Sequence, residues 1–328
     1  MTPASGVRWG IVGTANIARG AFLPGLRAAG GIPVAVAGRD LARAEQYAHA
    51  NGVQRAVQGY QSLIEDPDID ALYIPLPNSL HAQWTITALE TGKPVLCEKP
   101  LCGVLADTER VLKVAKRTGT LLWEAFVFPF NEHLHRVRTL LEHAMIGELR
   151  EIQSDFHFTV TRPDNIRLSA DLQGGALRDV GCYPVRLAQE FFGEHESAWA
   201  VCEPGGVEHG VDIETWGTLG YSGGRRLLLS CGMRRGYDTF SRLVGTAGQI
   251  HLSNPFHPGP GDHVTAYPDG GEPQAWAPEV SEPSFAPALR HINAVLAGSE
   301  EPRLLALETS LITARGLHDL AASWSAPA

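Results

Sequence analysis

The chain has 328 residues, of which 44% are hydrophobic and 19% charged, and a formal net charge of −9 at pH 7. That is more than one domain of roughly 100–200 residues needs, and the composition is globular rather than disordered. The acidic balance excludes a general field for nucleic acid, and no apolar run approaches the roughly 18 residues of a membrane span. The opening MTPASGVRWGIVG lacks a basic patch followed by an apolar stretch, and cysteines 97, 102, 182, 202 and 231 form no CxxC pair. The expectation is a cytoplasmic protein with no nucleic-acid partner and no membrane segment.

From Val7 to about Phe126 short apolar runs alternate with helical stretches. The runs are 7–12, 33–37, 70–75, 94–98 and 121–126, and the helices 41–51, 79–91 and 104–118 lie between them. That rhythm predicts a doubly wound parallel sheet covered on both faces, in a dinucleotide-binding domain over 1–126. A second, α+β domain over 127–328 is expected, because the period then changes. Ile152, Phe156, Phe158 and Val160 alternate with polar neighbours and only Ser154 breaks the pattern. Residues 225–233 do the same, so an open, mostly antiparallel sheet is expected here. Residues 254–287, rich in proline, read as an irregular excursion. Leu304, Leu307, Leu311, Ala314 and Leu317 mark an amphipathic closing helix.

The segment Gly10 to Ala18, GIVGTANIA, ends a strand and opens a helix. Gly10 and Gly13 let the backbone approach a pyrophosphate at the helix N-terminus, with Thr14, Ala15, Asn16 and Ile17 around it. Plain strand-to-helix turns use the same glycines. A reader of the ribose 2′-hydroxyl places a carboxylate near position 38; this chain has Gly38, Arg39 and Asp40. Arg39 offers a fork of donors to a 2′-phosphate, and Asp40 can turn away as the cap of the next helix. Arg43, four residues on, is expected to add a second cation from the same helical face. NADP(H) is therefore expected in preference to NAD(H). His133 and His135 stand two apart, which does not share a helix face, so no metal site is expected.

With the GxxGxA opening, the run LYIPLPNSLHAQW (72–84), VLCEKPL (95–101) and GGALRDVGCYPVR (174–186), the chain resembles the Gfo/Idh/MocA oxidoreductases from Val7 to the closing helix. The resemblance implies hydride transfer between a nicotinamide and a secondary alcohol or ketone of a sugar or cyclic polyol. It places Glu98, Lys99 and Pro100 beside the cofactor, with Lys99 at the substrate oxygen. Pro75, Leu76, Pro77, Asn78 and His81 fall on the loop beside the nicotinamide. Tyr183 becomes the acid, and the tyrosine resembles the subset containing dihydrodiol dehydrogenases, glucose-fructose oxidoreductases and deoxysugar 3-ketoreductases. Asp179, four residues before it, orients substrate or Tyr183 from the same helical face, and Arg167 resembles a contact to a nucleotide-sugar phosphate. The chemistry agrees with this. Ketone reduction develops negative charge on oxygen, an ammonium stabilises it, and the same cation draws a tyrosine pKa down from about 10. Both a nucleotide-sugar ketoreductase and a xylose or dihydrodiol dehydrogenase fit, acting as a homodimer or homotetramer. The reading from another class is a non-catalytic dinucleotide-binding sensor, against which the presence of Lys99, Asp179 and Tyr183 together argues.

Overall fold

The computed structural model describes residues 6–204, 210–277 and 282–324. Two compact units result, and neither is one continuous stretch: the first takes 1–102, 106–127 and 281–311, the second 103–105, 128–280 and 312–328.

In the first unit, β1 (Arg8–Val12), β2 (Ile32–Gly38), β3 (Arg55–Gln58), β4 (Ala71–Ile74), β5 (Val95–Cys97) and β6 (Leu122–Glu124) form one parallel sheet in the order β3-β2-β1-β4-β5-β6. The connecting helices are α1 (Leu23–Ala28), α2 (Leu41–Asn51), α3 (Tyr60–Ile64), α4 (Asn78–Glu90) and α5 (Leu105–Thr118). Strand order reverses between β1 and β4, and open α/β sheets bind ligands outside the strand C-termini at such a switch. Val12, Ala35, Leu72, Ile74, Val95 and Leu122 are buried in one apolar cluster, as strands covered on both faces require. A later helix, α8 (Ala286–Leu296), returns to this unit, where Asn293 Oδ1 accepts from Trp9 Nε1 at 2.9 Å.

In the second unit α6 (Glu132–Glu142) precedes β7 (Leu149–Thr159), and α7 (Cys182–Phe192) follows it. The other strands are β8 (Ser197–Pro204), β9 (Asp212–Tyr221), β10 (Arg225–Gly232), β11 (Arg234–Asp238), β12 (Ser241–Gly245), β13 (Gly248–Leu252), β14 (Val264–Pro268) and β15 (Gln274–Trp276). Their order is β15-β14-β13-β12-β7-β10-β9-β8, with β11 on β7, and every pair is antiparallel except β7 with β10. The break at Ser154 has a cause. It sits opposite Ser241, buried, with the two hydroxyls 2.7 Å apart.

Two readings need correction. The 254–287 segment is not wholly irregular, since β14 and β15 extend the sheet through it; its residues 278–281 lie outside the described ones. The closing helix, α9 (Ala306–Ala322), buries the expected leucine stripe only in part: Leu317 is buried and Leu311 packs against the core of the first unit. Leu307 is 43% exposed, whereas Ser310 and Thr313 are buried because their hydroxyls donate to Glu124 Oε2 at 2.6 Å and Gln189 Oε1 at 2.5 Å respectively. All five cysteines are free and buried, and no helix among the described residues is long and apolar enough to cross a membrane.

Candidate active site

The expected cofactor residues of the first unit, Gly10 apart, fall at the C-terminal ends of its strands. Gly13 to Ile17 follow β1, Arg39 follows β2, residues 75–81 follow β4 and Glu98 to Pro100 follow β5. The chain turns at Gly13 with φ +110°, and a Cβ there would stand 2.9 Å from Leu76 Cδ2. The backbone conformation is what calls for glycine at this point, since the Leu76 side chain can give way. The Gly13 N–H already donates to Ala37 O at 2.9 Å, so a phosphate must be met by groups further along, where the helix starts at Asn16. Ala15 O is held by Tyr47 Oη at 3.1 Å. Gly10 serves another purpose than the one expected. It is buried inside β1, and a Cβ would press on Leu72, Ile69 and Leu63 at 3.0–3.3 Å, so it allows close packing within the sheet.

At the end of β2, Asp40 caps α2, its Oδ1 accepting from Arg43 N at 3.2 Å. Arg39 is exposed and precedes the cap. Arg39 and Arg43 therefore do not share a helical face, because the helix begins only at Leu41. A positive-φ turn before a helix N-terminus, with an arginine rather than a carboxylate at the next strand's end, fits a dinucleotide carrying a 2′-phosphate.

The Glu98-Lys99-Pro100 loop is fixed from several sides, and the Lys99–Pro100 peptide is cis. Glu98 N donates to Ile74 O at 3.1 Å; Glu98 Oε1 accepts from Tyr73 Oη at 2.6 Å, and its Oε2 from Lys99 N at 3.2 Å. Tyr73 is fully buried against Phe22, and burial followed by the neighbouring Glu98 raises its hydroxyl pKa well above the usual value, so it stays a donor. Beyond the proline, Leu101 N donates to Glu124 Oε1 at 2.7 Å. His81 lies wholly buried between two carbonyls, with Nδ1 3.0 Å from Pro100 O and Nε2 2.7 Å from Leu76 O. Burial lowers its pKa more than the two carbonyls raise it, and a neutral imidazole donates to only one of them. His81 thus lies between the β4 loop and the lysine loop and donates to one of them. Glu98, expected beside the cofactor, spends its carboxylate on the loop itself. Tyr73 and Glu124 went unread in the sequence, because nothing in their spacing marks a partner 23–25 residues away.

In the second unit a π turn, Leu177–Gly181, leads into α7. Asp179 lies on that turn rather than on a regular helix, so the fourfold spacing to Tyr183 does not by itself set a common face. Its Oδ2 accepts from Arg167 Nε at 2.6 Å, bringing two expected substrate residues together; the Arg167 guanidinium also stands 5.6 Å from the Phe158 ring centre. Tyr183 is 8% exposed, with ring centres of Phe156 and Phe256 at 5.2 and 5.1 Å and Phe128 at 6.2 Å. His257 Nε2 is 3.4 Å from the Tyr183 hydroxyl. His133 Nε2 is 3.2 Å from Asp262 O, and among the described residues no group of three His, Cys, Asp or Glu is placed to hold a metal.

Comparison with known proteins matches residues 7–126 to the oxidoreductase family with an NAD-binding Rossmann fold, and residues 134–251 to the GFO/IDH/MocA C-terminal domain. The chain is 38% identical to a dTDP-3,4-didehydro-2,6-dideoxy-alpha-D-glucose 3-reductase of Streptomyces violaceoruber over 81% of this chain and 79% of that protein. It is 34% identical to a D-xylose 1-dehydrogenase (NADP(+)) of Haloferax volcanii over 77% of each. Among solved structures it resembles the 3-ketoreductase KijD10 of Actinomadura kijaniata in complex with NADP and TDP-benzene, with 30% identity, 98% of each chain covered and a TM-score of 0.88.

Proposed function

We propose that this chain, which belongs to the GFO/IDH/MocA oxidoreductase family, is an NADP(H)-dependent enzyme that interconverts a secondary alcohol and a ketone on a sugar or cyclic polyol. The bound nicotinamide supplies or accepts the hydride. Lys99 stabilises the charge that develops on the substrate oxygen, and Tyr183 delivers or removes that oxygen's proton. Asp179, braced by Arg167, orients the substrate. The observation that carries this reading is the lysine loop, where Ile74 O and the Glu124 carboxylate hold the backbone on both sides of Lys99 and Tyr73 fixes the Glu98 side chain. Preorganisation of this kind is what an electrostatic catalyst needs, and a surface lysine would not receive it.

NADP(H) preference rests on the exposed Arg39 and on Asp40 being engaged as a helix cap. Resemblance to ketoreductases of deoxysugar nucleotides and to a xylose dehydrogenase supports a carbohydrate substrate. The deciding experiment follows nicotinamide absorbance with NADPH or NADP+ against a panel of ketosugars, nucleotide-linked ketosugars, pentoses and cyclic diols. No turnover with any of them, alongside tight NADP(H) binding, favours the sensor reading over an enzyme.

The outer face of the second sheet supports a homodimer or homotetramer. Trp199, Trp216 and Leu228 are 49%, 40% and 38% exposed there, on rows paired through Thr218, Val201 and Ser230. On the same face, Arg242 Nε and His251 Nε2 are buried with no hydrogen-bond partner among the described residues. Exposed tryptophans and unsatisfied buried polar atoms on one sheet face are costly in a monomer. Sedimentation showing a monomer-sized species alone would refute the assembly.

A further inference from the structure

His257 lies outside every motif in the sequence, and the structure sets it deliberately. Thr239 Oγ1 donates to Asn254 Oδ1 at 2.7 Å and so fixes that amide. The amide grips both backbone groups of His257: Nδ2 donates to His257 O at 2.7 Å, and Oδ1 accepts from His257 N at 3.3 Å. The loop beyond is braced again, with Asp262 accepting from Ser253 Oγ and Gly259 N, each at 2.8 Å. The imidazole then stands edge-on to Phe156 at 5.8 Å and to Tyr183 at 5.3 Å between ring centres. Its Nε2 is directed at the tyrosine hydroxyl, 3.4 Å away, at the long end of the hydrogen-bonding range.

As a hydrogen-bond partner alone, a backbone carbonyl or an amide side chain would serve the Tyr183 hydroxyl equally well. Imidazole does something neither can do, since it both gives and takes a proton near neutral pH. Phe128, Phe156 and Phe256 pack around the phenol ring, and their side chains offer it no proton.

We infer that His257 is the proton-relay partner of Tyr183, a positioning residue that acts through the tyrosine and does not touch the substrate. The inference rests on Tyr183 being the acid. In the reducing direction NADPH gives hydride to the carbonyl carbon while the Tyr183 O–H gives its proton to the carbonyl oxygen. That leaves NADP+, an alcohol and a phenolate. His257, as the imidazolium, passes its Nε2 proton to the phenolate, is left as the neutral imidazole, and takes a proton back from solvent. Oxidation runs the same path backwards, and the proton leaves by way of His257.

The test compares His257→Gln, His257→Ala, Tyr183→Phe and the double variant Tyr183→Phe/His257→Gln. His257→Gln keeps a polar partner for the hydroxyl but cannot shuttle. It should lower kcat on the order of 10- to 10²-fold, with KM and NADP(H) affinity little changed. Added imidazole should restore turnover to His257→Ala in a saturable way and leave wild type unaffected. The double variant should be no slower than Tyr183→Phe, because a relay acting through the tyrosine has nothing left to relay. Wild-type kcat in His257→Gln, or full additivity in the double variant, overturns the relay while leaving the proposed function intact. Near-normal turnover in Tyr183→Phe instead removes the assignment of the acid, and the relay with it. Circular dichroism melts identify any variant that fails to fold, and imidazole rescue of a folded His257→Ala separates chemistry from packing.

Discussion

Glu124→Ala is the most telling single perturbation of the lysine loop. Glu124 is 8% exposed, and its carboxylate accepts from Leu101 N at 2.7 Å and from Ser310 Oγ at 2.6 Å. Hydrogen bonds to a charged group contribute ~1.5–3 kcal/mol each, so losing both costs ~3–6 kcal/mol. Removing a buried charge relieves its desolvation and offsets part of that, which leaves an expected loss of ~2–4 kcal/mol, a large share of the ~5–15 kcal/mol typical of whole proteins. Ser310→Ala breaks only one of the two bonds and should cost about 1–3 kcal/mol. Urea denaturation followed by circular dichroism reads the stability, and steady-state turnover reads the site. Glu124→Ala should also lower kcat, since Leu101 is two residues from Lys99, whereas Ser310→Ala should leave kcat near wild type. Glu124→Ala stability within about 1 kcal/mol of wild type would refute the reasoning, because two buried donors cannot go unpaired so cheaply.

Lys99→Ala should reduce kcat by roughly 10²–10³-fold with little change in NADP(H) affinity, measured by steady-state kinetics and cofactor titration. Arg39→Ala should weaken NADP(H) binding by about tenfold and leave NAD(H) binding unaltered; equal affinity of wild type for both cofactors would sink the assignment of the 2′-phosphate contact. The hydrogen bond from Arg8, together with its charge, holds the Asp70 carboxyl below its usual value. Its contribution to stability is therefore complete above the unfolded pKa of about 4 and is lost as pH falls through the lower folded value. Arg8→Ala should flatten the pH dependence of urea stability below about pH 4, and an unchanged acid limb would count against it.

What the sequence displayed was mostly what neighbours along the chain decide. Helix α2 was legible over Leu41–Asn51, and its Asp40 cap with it, because cap and helix lie within a few residues. Strand β3 was not, since its Arg55-Ala-Val-Gln has neither a run nor an alternation. Ser154 could be read only as a break, because the Ser241 that explains it lies 87 residues away. The leucine spacing of α9 was real, and Leu317 is buried, yet its buried face also takes in Ser310 and Thr313, whose partners come from elsewhere in the chain. The same distinction runs through the site. Lys99 and Tyr183 stood out in motifs, whereas Tyr73, Glu124 and the Asn254 clamp on His257 are made by folding. Nothing distinguishes His257 among 13 histidines before that.

The five buried thiols make the molecule its own clock. Cys97 and Cys102 belong to the first unit and Cys182, Cys202 and Cys231 to the second. Burial drives the thiols of Cys97 and Cys231 far from ionisation and pushes those of Cys102 and Cys202 up to about 12 and about 11. An alkylating reagent needs the thiolate, so in the closed state these sulfurs react hardly at all. Each covalent mass increment then records an opening event, and the peptide that carries it names the unit that opened. Labelling at Cys97, two residues from Lys99, times the loosening of the lysine loop without any dye, tag or substitution.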